Sequence, residues 1–494
     1  MKYKRFFKYP LTSAVVTLLL SMASVNANDL ATYPLIEKES GKKIIVKVTD
    51  LKDGKISFVY KNQSFSLPIE RFQDGTVVEV TSLLAEQGTV KDSEKIDFGN
   101  INEYIGHTLF EDVSLWNEQA GDIAKRLKWA KESVKKYSSS YRSYPRSNYQ
   151  FLGARPYCVT LYGGENDKPE SLSLVFANKG DYGSNVGAGE DHFKKLHPEE
   201  ELPNTLDEAI ELDTKLISKT LTEALGSEPT KQRYGEKEDK RTTLRWDFEG
   251  HSFLLSSLEG EYVSLLIVPI ANAEAGGKVK FVKDSDLRAQ QLTNIVQEEN
   301  GDVFIDNIPM VNQGPKGYCA PATFERAMSY MKIPADMYLL ATAATTQAGT
   351  NTRLLAENCK RIIRSKARRI RDLDLDKDLK MKTVQKYIDK GVPVLWQMRS
   401  LREYNQLANK RSKQRAGITD FGAWATEISA EATEVSAQML AQKENYHICM
   451  IIGYNEETQE LAVSDSWGPA YELRWVHIDI AKAVTSSGGF VIDF

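Results

Sequence analysis

The chain has 494 residues, a formal net charge of −4, 41% hydrophobic and 27% charged residues. These values exclude a wholly disordered or collagen-like chain, and 64 basic against 68 acidic residues give no support for a dedicated nucleic-acid binder. Four cysteines are too few for a disulfide scaffold, and at ~150 residues per domain the length points to about three domains.

Lys2, Lys4, Arg5 and Lys8 precede an apolar stretch at 11–22, and Val25-Asn26-Ala27 places small residues where a signal peptidase reads them. The stretch is short for a spanning helix, which needs ~20 residues. Residues 1–27 therefore read as a cleaved signal peptide. Its loss leaves 60 basic against 68 acidic residues, a net charge of −8. The mature protein is expected in the periplasm or outside the cell, with no stable membrane insertion.

Residues 28–97 read as a small β unit. Strands are expected at 43–48, 56–60 and 63–67, with Asp53-Gly54 as a hairpin turn. This segment resembles the small β domain called SLA1 homology domain 1, which implies a binding or spacing role.

Residues 98–290 read as an α+β region. Helices are expected over 117–134 and 206–225, and strands over 157–162, 171–176, 243–248, 251–256 and 262–269. The Tyr141, Tyr144, Tyr149, Arg142 and Arg146 cluster reads as a solvated loop rather than a binding strip. The small, Gly-rich segment 271–277 suits a linker. His192 and His197 lack the ligand spacing of a metal site.

Residues 300–494 carry the chemistry. Gln313 lies six residues before Cys319, and a helix is expected to begin at that cysteine, with Phe324, Ala327, Met328 and Met331 on one face. A thiol at a helix N-terminus meets unpaired backbone N–H groups and the positive end of the macrodipole, which favour the nucleophilic thiolate. The competing reading, an inert buried thiol, suits Cys158, Cys359 and Cys449, which could include one disulfide. His447 opens an apolar strand, 447–454, and a second strand from 460 leads into Ser464-Asp465-Ser466-Trp467-Gly468. Antiparallel pairing would bring Asp465 beside His447, to accept from Nδ1 and leave Nε2 for the thiol. The Gln313 amide and the Cys319 N–H are the natural oxyanion donors. His477 is the fallback base.

This order, Gln-x5-Cys, then His, then Asp-Ser-Trp-Gly, resembles the papain-like cysteine peptidases, and more closely their C39-like branch. The resemblance covers about the last 190 residues. It implies a papain-like two-lobe fold, α+β overall, with Cys319 as nucleophile, His447 as general base and acid, Asp465 as its orienting partner, and Gln313 in the oxyanion hole. It requires no cofactor or metal, and it implies a peptide or protein substrate. Ala320 departs from the usual Gly, and Asp465 stands where papain has Asn, although either can accept the His hydrogen bond. Between the strand expected at 392–398 and His447 lie residues 399–446, read as a helical insertion that is either a lid or partner surface, or a peripheral hairpin. The basic run 360–382 reads as a solvated face.

The expected function is that of an exported cysteine peptidase. The alternatives are a catalytically silent peptide-binding module, and a cell-wall amidase or transpeptidase using the same chemistry. Residues 28–300 could form a pro-segment, a targeting arm or a module for a protein or cell-envelope partner.

Overall fold

The computed structural model describes residues 98–494, apart from 147, 184–188, 195, 199–200, 280, 343, 347–348 and 444, and before them 32–36, 43–52, 54–60, 63–72 and 80. The expected signal peptide lies outside the described residues. Among them, no helix is long and apolar enough to cross a membrane.

The N-terminal unit is a four-stranded antiparallel meander: β1 (Thr32–Ile36), β2 (Lys43–Lys52), β3 (Lys55–Tyr60) and β4 (Gln63–Pro68). Lys52 pairs with Lys55 across the anticipated turn, where Gly54 takes φ +67°. Its core gathers Leu35, Val46, Val48, Ile56, Phe58 and Phe72.

Residues 98–494 cluster as one compact unit. Its first part holds helices α1 (Phe98–Ile105), α2 (Ala120–Leu127) and α3 (Leu206–Leu225). It also holds strands β5 (Lys131–Lys135), β6 (Ser138–Ser143), β7 (Cys158–Gly163), β8 (Pro169–Asn178), β9 (Thr230–Tyr234), β10 (Arg241–Phe248), β11 (His251–Leu258) and β12 (Tyr262–Pro269). The strands form one antiparallel sheet in the order β5-β6-β7-β8-β12-β11-β10-β9. Alternation along β8 sends Leu172, Leu174 and Phe176 into a core with Ile123, Leu127, Ile217 and Leu221 of the helices. Val175, on the opposite face, instead packs with Tyr318, Ala322, Met337 and Tyr338 from the C-terminal part.

Three expectations for this part need correction. The helix anticipated over 117–134 ends at Leu127, because Lys128 takes a left-handed φ of 61° and Trp129 N–H bonds back to Ala124 O; the chain then continues as β5. The tyrosine–arginine cluster is not a solvated loop. Tyr141 and Arg142 lie on β6 and are buried, and Tyr144 is partly buried against the C-terminal part, whereas Arg146 is exposed as expected. The 271–277 segment is largely helical (Ile270–Glu274) and buries Ala273.

The C-terminal part builds a second antiparallel sheet. Its strands are β13 (Ile295–Gln297), β14 (Asp302–Ile305), β15 (Arg369–Leu373), β16 (Val394–Arg399), β17 (Tyr446–Asn455), β18 (Glu460–Ser464), β19 (Arg474–His477) and β20 (Thr485–Asp493). The order is β13-β14-β17-β16-β20-β15, with β18 on β17 and β19 on β18. Helix α4 (Cys319–Tyr330) packs on β17, and Phe324 and Met328 share one core with Trp396, Ile448 and Phe490. The basic run is only partly solvated: Lys366 pairs with Glu236 at 3.0 Å, and Arg368, on the Phe494 ring, pairs with Asp284 at 2.5 Å. The 399–446 insertion is two helices, α5 (Arg402–Arg415) and α6 (Phe421–Leu440). They bury Tyr404, Ala408, Trp424, Ile428 and Ala432. They are anchored by the Arg415 guanidinium, which reaches Asp302 at 2.6 Å and Glu460 at 2.8 Å.

Candidate active site

Cys319 is the first residue of α4, and the helix is strapped to the sheet beside it. The Thr323 hydroxyl donates to Ile448 O (3.1 Å). The fully buried Arg326 donates to Pro309 O (3.0 Å) and to the Ser464 hydroxyl (2.6 Å). These bonds set the helix N-terminus against the start of β17, where His447 sits.

His447 and Asp465 meet as the strand–turn–strand pattern anticipates. In the β17–β18 pair Met450 faces Ser464, so Asp465, just past the strand end, falls opposite Cys449, two residues along from His447 and on the same face. Nε2 of His447 donates to Asp465 Oδ1 at 2.7 Å. The expected ring orientation is therefore reversed: Asp465 takes Nε2, and Nδ1 remains for the Cys319 thiol. The Trp467 ring stacks on the imidazole, with centroids 4.8 Å apart, and holds this face of the ring.

The electrostatics suit an ion pair. Burial works against a charge on His447, but hydrogen bonds to Asp465 and Cys319 outweigh it and raise its pKa to about 9. Burial by itself would raise the Cys319 thiol. The hydrogen bond and charge of His447, with backbone hydrogen bonds at Ile448 and Ala320, bring it below its ordinary value. Cys319 is partly exposed, whereas Cys158, Cys359 and Cys449 are buried, and all four are free thiols. Burial pushes the Cys158 and Cys449 thiols up, the opposite direction from Cys319.

Sequence reasoning missed Arg474. From β19 its guanidinium grips Asp465 Oδ2, so each carboxylate oxygen has its own donor. Burial would raise the Asp465 carboxyl, but the His447 hydrogen bond and the Arg474 charge hold it below the usual range. Arg474 also donates to Asn405 (3.2 Å) and Asn409 (3.0 Å) on α5, which ties the insertion to the site from behind. A lone arginine in the otherwise apolar start of strand 474–477 was the available signal, because a buried guanidinium needs an acceptor.

Gln313 lies buried in the loop before Cys319, and its backbone N–H donates to Ser466 O at 2.8 Å. Its Nε2 donates to Lys316 O at 3.0 Å, which commits one amide N–H and leaves the other uncommitted. The fallback base His477 is occupied elsewhere: Nδ1 accepts from Asp479 N–H and Nε2 meets the Ser429 hydroxyl, each at 3.3 Å. His192 is stacked on Tyr157 and bonded to Arg155 O at 2.9 Å.

Residues 305–484 match the Peptidase_C39 like family. This region is a C39-like peptidase domain. The match spans Gln313, Cys319, His447 and Asp465, and also Arg474 and the α5–α6 insertion. No curated protein matches the chain.

Proposed function

We propose that the chain is an exported cysteine peptidase. Cys319, His447 and Asp465 would hydrolyse peptide bonds, with Gln313 and the Cys319 N–H as oxyanion donors. The helical segment carrying Cys319 and the sheet carrying His447 and Asp465 would then correspond to the two sides of a papain-like cleft. The observation that carries the reading is the His447–Asp465 hydrogen bond of 2.7 Å beside a thiol whose pKa is lowered.

The Cys319 thiolate attacks the scissile carbonyl, and the developing oxyanion is held by the two donors. His447, protonated at neutral pH with its pKa near 9, gives its Nδ1 proton to the leaving amine. The now neutral imidazole takes a proton from water, which cleaves the thioester. Asp465 keeps the Nε2–H tautomer throughout. Export rests on the basic, apolar and small-residue pattern of 1–27. The meander at 32–72 would serve as an SLA1 homology 1-like binding or spacing module.

Incubation of the mature chain with a mixed peptide library, read by mass spectrometry, should give cleavage that is lost in Cys319→Ser. Cleavage of a peptidoglycan fragment in place of peptides would replace this reading with an amidase. Binding of peptides without cleavage by either route would replace it with the silent module.

A further inference from the structure

The loop from Asn312 to Cys319 carries the proposed oxyanion donor, yet much of what holds it comes from residues 98–290. On one side of Gln313, the Asn312 backbone is pinned twice. Its N–H donates to Glu132 Oε1 at 2.6 Å, and its carbonyl accepts from the Tyr144 hydroxyl at 2.5 Å. On the other side, the Gln313 amide is held by the Lys316 carbonyl. The Lys316 side chain is itself buried, donating to Asp181 Oδ1 at 3.1 Å. It lies 4.6 Å from the Tyr144 ring centroid and 5.0 Å from that of Tyr338. Asp181 is buried too, and its other oxygen accepts from Asn178 at 3.0 Å. The fit is close: a Cβ on Gly180 would lie 2.4 Å from the Tyr318 ring, and one on Gly314 2.6 Å from the Tyr144 ring.

A continuous chain of bonds thus runs from Asp181 through the Lys316 ammonium and the Lys316 carbonyl to the Gln313 amide. We propose that Asp181, Tyr144 and Glu132 are positioning residues for the Gln313 oxyanion donor, so that region 98–290 completes the catalytic centre and is not a removable pro-segment. The inference rests on the cysteine-peptidase reading and deepens it. A donor only about 1 Å out of place loses on the order of 10²-fold in rate, because its dipole no longer points at the developing charge.

The test compares two reactions of Cys319 in the full chain. Iodoacetamide alkylates the thiolate by displacing iodide and makes no oxyanion. p-Nitrophenyl acetate transfers its acetyl group to sulfur through a tetrahedral oxyanion: the S–C bond forms, the ester C–O bond breaks and p-nitrophenolate leaves. In Asp181→Asn the acylation rate should fall ~10–100-fold, while the alkylation rate and its pH profile stay at the wild-type level. Asp181→Glu should recover part of the loss. Tyr144→Phe, which keeps the ring packing and loses one hydrogen bond, should show the same selective fall to a smaller extent, and it decides the matter if Asp181→Asn does not fold. Unchanged acylation, or an equal fall in both rates, overturns the positioning role. A wild-type Cys319 that alkylates no faster than an ordinary thiol overturns the catalytic reading instead.

Discussion

Asp465→Asn is the most discriminating change at the site. Papain's use of Asn makes the substitution look conservative, since an amide oxygen can accept from an imidazole. Here the carboxylate has a donor on each oxygen, His447 Nε2–H on Oδ1 and Arg474 on Oδ2. An amide has a single oxygen. A guanidinium donates only, so the amide oxygen must turn to Arg474 and the NH2 group to His447. Nε2 then has to accept, the proton moves to Nδ1, and the nitrogen facing Cys319 can no longer take the thiol proton. The same tautomer error costs about 10⁴ in kcat in the serine triad. The thiol should return at least to its ordinary value of 9.0. At pH 6 its thiolate fraction is then ~10⁻³, so alkylation there should fall below the wild-type rate. The assay is the second-order rate of iodoacetamide labelling against pH, with the label located on Cys319 by mass spectrometry. The double variant Asp465→Asn/Arg474→Met frees the amide to flip and should regain ~10-fold over the single variant. A single variant with the wild-type profile, or a double variant less reactive than the single one, refutes this account.

Acyl transfer requires Cys319 as thiolate and His447 protonated. The rate of peptide-bond cleavage, whose leaving amine needs the His447 proton, should therefore rise through the lowered thiol pKa and fall as His447 loses its proton near pH 9; a rate still climbing at pH 10 contradicts the assignment. Under native conditions below pH 8, labelling should stop at Cys319, because the other three thiols are buried; early modification of Cys449 would mean the sheet opens. Arg415→Ala leaves Asp302 and Glu460 buried without their cation and should cost about 3–5 kcal/mol in urea denaturation. A loss under ~1 kcal/mol would mark α5 and α6 as a peripheral hairpin.

What the sequence makes legible is local. Cys319 stands at a helix start because its own neighbours fix the helix, and Asp465 reaches His447 because one short turn joins their strands. The ring nitrogen is not local. It depends on how the imidazole sits between Trp467 and the carboxylate, which no spacing encodes. Arg142, Tyr144, Lys366 and Arg368 were misread for a related reason. Tyrosine, lysine and arginine look the same in a solvated loop and in a buried network, and the difference is set by partners such as Glu325, Asn312 and Glu236, far away in the chain. Conversely, the helix Leu206–Leu225 is found at its full length, because its apolar period, its Thr205 cap and the left-handed Gly226 are all written into contiguous residues.

The family match begins at residue 305, but the charges within it do not balance without what precedes. Lys316 is buried and answers to Asp181, and the buried Glu325 answers to Arg142 and the Tyr162 hydroxyl. Burial already raises the Glu325 pKa to about 8, so removing its cation would leave a carboxyl that cannot ionise cheaply. Arg415 likewise answers to Asp302, three residues before the match begins. Breaking a buried pair by removing one partner costs about 3–5 kcal/mol, and a whole domain is stable by only about 5–15 kcal/mol. A fragment limited to 305–484 takes Asp181 from Lys316, Arg142 from Glu325 and Asp302 from Arg415, which keeps only Glu460, and it bares Tyr318, Ala322 and Met337 where they pack on Val175. A fragment limited to 305–484 is therefore expected to emerge unfolded. Removal of 98–290 alone would spare the Arg415–Asp302 pair but strip Lys316 and Glu325 of their partners and bare the same apolar face, which argues against maturation by that cut.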